Sequence, residues 1–230
     1  MTTRNRRAER RPDGLSKERI VRAAIEILDS GGEDALTFRA LAARLATGAG
    51  AIYWHIADKD DLLAAAAYEI VAEVLTGVPA ATPPREAIRA VALGLFDAID
   101  AHPWVGTQLS RDPAQLWREP GQSALLQVFE SVGGRLLALG VREPVLFVAA
   151  SALVNYVFGA AGQNASNARL VPPGTDRAAV LAAVAARWAS LDPAAYPFVR
   201  QVAGPLREHD DRAQFLAGVD LILAGMPRAD

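Results

Sequence analysis

The chain has 230 residues, 51% of them hydrophobic and 22% charged, with a net charge of −2 and no cysteine. That composition supports a buried core and excludes global disorder. The lack of cysteine excludes disulfides, thiolate catalysis and cysteine-based zinc sites, and it suits a reducing cytoplasm. Alanine is abundant and β-branched clusters are few, which favours helix over sheet. The basic N-terminus has no apolar stretch behind it, so no signal peptide is expected.

Residues 1–22 carry Arg4, Arg6, Arg7, Arg10, Arg11, Lys17, Arg19 and Arg22 against Glu9, Asp13 and Glu18. A basic end on a mildly acidic chain points to a polyanion met at that end, or to a solubilising tail. Residues 1–15 lack periodicity and are read as a flexible arm. Ser16 is the expected N-cap of a first helix, with Glu18 in its first turn. Ile20, Ala24, Ile25, Ile27 and Leu28 form its apolar stripe, and Gly31-Gly32 is the expected stop. Thr37 caps a second helix in which Phe38, Leu41, Ala42 and Leu45 face inward while Arg39, Ala43 and Arg44 face out. After a break at Ala46–Gly48, a short third helix runs through Ile56, anchored by Ala51, Ile52 and Ile56. Asp58 and Asp61 form a capping-box-like pair at the start of a fourth helix through Leu62, Leu63, Ala66, Ile70 and Val74.

Ala80–Pro84 is a Pro/Ala linker. Helical patterns follow at Arg85–Ala101, Pro103–Ser110, Gln122–Leu139, Pro144–Gln163, Thr175–Ser190 and Asp211–Gly225, with loops expected at 111–121 and 166–174. The chain therefore reads as all-α, with about nine or ten helices. Pro144–Gln163 is uncharged and about the 20 residues a membrane span needs. Ser151 and Asn155 sit in its middle and no basic flank or aromatic belt frames it, so no membrane is expected. An all-round apolar helix also suits a core or a subunit interface.

Thr37–Leu45, Ala46–Gly48 and Ala49–Ile56 have the proportions of a helix-turn-helix: a scaffold helix, a short turn, and a second helix with a free face for base edges. The small residues Gly48, Ala49, Gly50 and Ala51 let backbone approach DNA closely. Tyr53, Trp54 and His55 cannot all face one core, so some of their polar tips point outward, where phosphate oxygens accept. Lys59 adds a charge-assisted phosphate contact.

L-T-x-R-x-L-A-x-x-L followed by I-Y-W-H-I-x-x-K-x-x-L-L resembles the DNA-binding domain of the TetR family of one-component bacterial transcription regulators. The resemblance implies Thr37, Tyr53, His55 and Lys59 near phosphates, Arg39 reaching bases or backbone, and Ala49–Ala51 with Trp54 on the groove side. Two positions depart from the family pattern: Ala46-Thr47 replaces its usual Gly-Val, and the recognition helix carries both Gly48 and Gly50. Ala101-His102-Pro103-Trp104, Tyr196-Pro197 and Phe215–Gly225 are similar to the tetracycline-repressor-like branch. This implies a homodimer with a ligand cavity in each subunit. It also implies a three-part chain: an arm at 1–15, a helix-turn-helix DNA-binding domain at 16–62, and a ligand-binding and dimerisation domain at 63–230.

Independently, Phe215, Val219, Ile222 and Met226 recur at helical spacing, as do Leu216 and Leu223. With Pro144–Gln163 they suit a dimer interface of two helices per subunit. Candidate ligand-lining residues are His102, Trp104, Leu109, Trp117, Phe129, Phe147, Asn155, Tyr156, Phe158 and Gln163, apolar with a few hydrogen-bonding groups. The expected guest is a small hydrophobic or amphipathic effector. His102 before Pro103 suits backbone capping better than metal binding, and no cofactor is required. An enzyme using His102 or His209 lacks a nucleophile elbow, a phosphate loop and metal-spaced His/Glu pairs. A ligand carrier with a vestigial DNA-binding segment is the remaining alternative. The expected function is a cytoplasmic, ligand-responsive repressor that binds a palindromic double-stranded operator as a dimer.

Overall fold

A computed structural model describes residues 15–111, 117–170, 172 and 174–227. The expected basic arm at 1–15 lies outside them except for Leu15. The described residues form eleven α-helices and no β-strand. In chain order these are α1 (Lys17–Ala35), α2 (Phe38–Arg44), α3 (Ala49–Tyr53), α4 (Lys59–Thr76), α5 (Pro84–Ala101) and α6 (Pro103–Arg111). They continue as α7 (Ala124–Ala138), α8 (Glu143–Leu170), α9 (Arg177–Ala189), α10 (Pro197–Val202) and α11 (Asp211–Ala224).

The head, α1–α3 with the start of α4, is built by local capping. Ser16 Oγ accepts from the Arg19 amide at 3.3 Å, Thr37 Oγ1 from Ala40 at 3.1 Å, and Asp58 Oδ1 from Asp61 at 2.8 Å. Asp61 reaches back to the Ala57 amide at 3.3 Å, completing the expected capping-box-like pair. Ile20, Leu28, Leu41, Ile52, Ile56 and Leu62 close the head core. Three boundaries differ from those expected. The first helix breaks at Gly32, where φ reaches 70°, but resumes for one turn to Ala35. α3 ends at Tyr53 rather than at Ile56, because Ile56 must turn into the core and Asp58 is extended to start α4. The expected loop at 166–174 is helical as far as Leu170, since α8 outruns its uncharged stretch. α10, beginning at Pro197, has no counterpart among the expected helices.

α4 runs unbroken across the expected division at 62/63, so one helix belongs to both head and body. In the body, α8 is central and packs against α5, α6, α7 and α11. Leu95, Ile99, Leu136, Leu153 and Val157 are among its core residues. α8 is long and apolar enough to cross a membrane, yet its inner face is the centre of this bundle. At the α8–α11 crossing, the Tyr156 hydroxyl donates to the Phe215 carbonyl at 3.1 Å. Gly218 makes that possible, because a Cβ there would overlap the Tyr156 ring. Burial pushes the Tyr156 hydroxyl above its ordinary pKa, so it stays a neutral donor.

Candidate nucleic-acid interface and ligand sites

The ten expected DNA-contacting residues lie along α2, along α3 and in the segment from Trp54 to the first residue of α4. Thr37 and Arg39 are exposed at the start of α2, and Gly48 and Gly50 are exposed at the start of α3 with Ala49 and Ala51 half-buried. The Tyr53 ring stacks on Phe38, with centroids 4.4 Å apart and planes 8° apart. That stack fixes the ring to α2 while leaving Tyr53 55% exposed. Trp54 is 89% exposed, a large apolar cost for a soluble surface, and His55 beside it is exposed too. None of the three aromatics is core.

Lys59 is more constrained. Its Nζ donates to the Glu33 carbonyl at 2.5 Å, tying the start of α4 to the end of α1. An ammonium has three donors, so this bond leaves capacity for a phosphate.

One cluster has no counterpart among the pattern residues. Arg19 and Arg22, one turn apart on α1, share a cleft with Arg44 at the end of α2, where Arg44 pairs with Glu26. Arg19 and Arg22 belong to the basic end read from the sequence, whereas the approach of Arg44 across the fold leaves no local pattern.

The ten candidate ligand-lining residues do not line one cavity. Trp104, Leu109 and Phe158 are buried core. Trp117 is 87% exposed on the surface and Asn155 is exposed on the outer face of α8. Tyr156 and Gln163 border a polar cleft of about 310 Å³ between α5, α8 and the start of α11, with His209 and Asp211 at its edge. Phe129 and Phe147 wall an apolar groove of about 730 Å³ between α7 and α8, joined by Gln127 and Glu130. The space enclosed by α5, α7 and α8 is only about 10 Å³. His102 lies at the head–body junction, its Nδ1 2.7 Å from Asp29 Oδ1. A second tie to the head comes from Arg118, whose Nη2 donates to the Asp60 carbonyl at 3.3 Å and whose Nη1 is 3.7 Å from Asp61.

A capped helix-turn-helix with an exposed aromatic and basic face, joined through a shared helix to a larger helical body, defines a two-part helix-turn-helix DNA-binding protein. The comparisons with known proteins narrow that class. Residues 20–66 match the profile of the bacterial regulatory proteins of the tetR family, and residues 83–229 match the tetracyclin repressor-like C-terminal domain. An HTH-type transcriptional regulator of Saccharopolyspora erythraea is 32% identical over 92% of this chain and 84% of its own length. A TetR transcriptional regulator of Streptomyces coelicolor is 53% identical, with a TM-score of 0.82 over 92% of this chain and 97% of that one. The S. coelicolor TetR family protein ActR, solved with (S)-DNPA, is 26% identical, with a TM-score of 0.72 over 93% and 98%. The chain belongs to the TetR family. It is a DNA-binding transcriptional regulator of that family.

Proposed function

We propose that the protein works in the cytoplasm as a homodimer, which holds two copies of the α2–α3 unit in successive major grooves of a palindromic operator, about 34 Å apart. The head spans 16–62 and the ligand-binding and dimerisation body 63–230. The observation that carries this reading is the exposed Tyr53-Trp54-His55 run beside Thr37, Arg39 and Lys59. Thr37, Tyr53, His55 and Lys59 bind phosphates. Arg39 and Trp54, with the small Gly48–Ala51 backbone, face the groove.

Dimerisation uses the outer faces of α8 and α11. Val148, Ala152, Asn155 and Gly159 form an exposed, uncharged stripe on α8, and Ala213, Ala217, Leu221 and Ala224 form another on α11. Stripes of small and apolar residues let helices from two subunits pack closely as a four-helix bundle.

The effector is a small hydrophobic or amphipathic molecule seated in the α7–α8 groove between Phe129 and Phe147. The two aromatic walls favour a planar guest, and ActR offers a precedent for such a regulator meeting a small molecule. Effector binding favours a dimer whose heads no longer match the operator, and the switch is limited by the effector's differential affinity for the two shapes.

A gel-shift titration of duplexes from the protein's own upstream region tests the reading. Specific duplexes bind far more tightly than random DNA, and Tyr53→Ala with Lys59→Ala abolishes the shift while the sizing profile stays dimeric. Equal binding to random DNA rejects the specific-repressor reading.

A further inference from the structure

The body meets the head at a corner that converges on one carboxylate. His102 caps the end of α5 with φ −127° and ψ 71°, and Pro103 begins α6 at the next residue, so the two helices join without a linker. From that corner two rings reach the same oxygen of α1. His102 Nδ1 lies 2.7 Å from Asp29 Oδ1, and the Trp104 Nε1–H donates to it at 2.8 Å. A carboxylate only accepts, so the His102 hydrogen sits on Nδ1 in this arrangement. The Trp104 indole is 6% exposed, and an indole N–H buried that far needs an acceptor. Asp29 provides it across 75 positions of sequence.

The place of Asp29 on α1 gives the contact its consequence. It stands one turn before Gly32, where φ of 70° breaks the helix on its way to α2. On the far side of that break, the Lys59 ammonium holds the Glu33 carbonyl. The break is therefore held from the body through Asp29 and from α4 through Lys59.

We infer that Asp29 is a positioning residue that locks the DNA-reading head to the α5–α6 corner of the body, so that displacement of α6 is carried into α1 and on to α2 and α3. Asp29 touches no DNA and acts only through α1. The consequence for operator binding rests on the DNA-binding reading above, whereas the lock itself has a readout that needs no DNA.

The chain contains no cysteine, so two can be introduced at chosen places: Arg39→Cys on α2 and Leu137→Cys on α7, both exposed. Spin labels there, in chain diluted with excess unlabelled protein, report the head-to-body distance within one chain by pulsed electron resonance. With Asp29 intact the distance distribution is single and narrow. Asp29→Ala broadens it at least about twofold and weakens operator binding by about tenfold, within the usual range of inter-site coupling. Asp29→Asn keeps an acceptor oxygen and stays narrow. Trp104→Phe keeps the ring in the core but loses one donor. It broadens the distribution as well, and serves as the test should Asp29→Ala not fold. An unchanged distribution in Asp29→Ala, or in Trp104→Phe should Asp29→Ala not fold, overturns the lock. A broadened distribution with undiminished operator affinity overturns the transmission. Should the unaltered protein bind no duplex, the DNA-binding reading falls while the distance measurement still decides the lock.

Discussion

Ala46 holds a left-handed backbone, φ 52°, in the turn between α2 and α3 without the freedom of glycine. That conformation costs an alanine about 1–2 kcal/mol, which explains why glycine suits this position. Ala46→Gly is expected to raise stability by about 0.5–1 kcal/mol, read as a higher denaturant midpoint at unchanged slope, the relief of strain being partly offset by a freer unfolded chain. Tyr53→Phe keeps the stack on Phe38 and removes only the hydroxyl. Operator affinity should then fall about 5- to 15-fold, for the roughly 1–1.5 kcal/mol of one phosphate hydrogen bond, with no loss of thermal stability. The exposure of Tyr53–His55 is legible in the sequence because three polar-tipped aromatics in a row cannot share a core. Asp29 and the Arg44–Glu26 pair are not legible, because partners 73 and 18 positions apart leave no local pattern.

The helices that the sequence announces most clearly are those with side-chain caps. Ser16, Thr37 and Asp58 each accept from the amide three residues on, as their spacing predicts. α10 escapes notice because its six residues bury no side chain and so show no apolar period. The groove and cleft are equally hidden, since they depend on how α7, α8 and α11 cross rather than on any one stretch. The α5–α11 contact carries a testable charge effect. Asp220 on α11 hydrogen-bonds to Arg89 and lies 3.0 Å from Arg85. The Arg89 hydrogen bond is the main cause holding its carboxyl below the ordinary value. A depressed folded-state pKa contributes stability that is fully present above the unfolded value and lost as pH falls through it towards the folded one. Asp220→Asn should therefore lower the thermal midpoint at neutral pH slightly, the group being part-exposed, and the difference from wild type should vanish in acid below the carboxylate range. A constant difference across that range contradicts the pairing.

Head and body are coupled through α4, through Arg118, and through the Asp29 corner, so the orientation of each head follows the body that carries it. Two heads then act as one reader only if α8 and α11 pair two chains. Ala152→Arg puts a charge in the middle of the α8 stripe. It should yield monomers by light scattering and, by removing the second head, weaken operator binding by at least about 100-fold. The most direct test is an anisotropy titration of an operator duplex against one carrying a 5-base-pair insertion between its half-sites. Half a turn of DNA rotates the second half-site to the opposite face, beyond the reach of a dimer whose heads sit one turn apart. The insertion is expected to reduce affinity to that of a single half-site. Equal affinity for the two duplexes would contradict it.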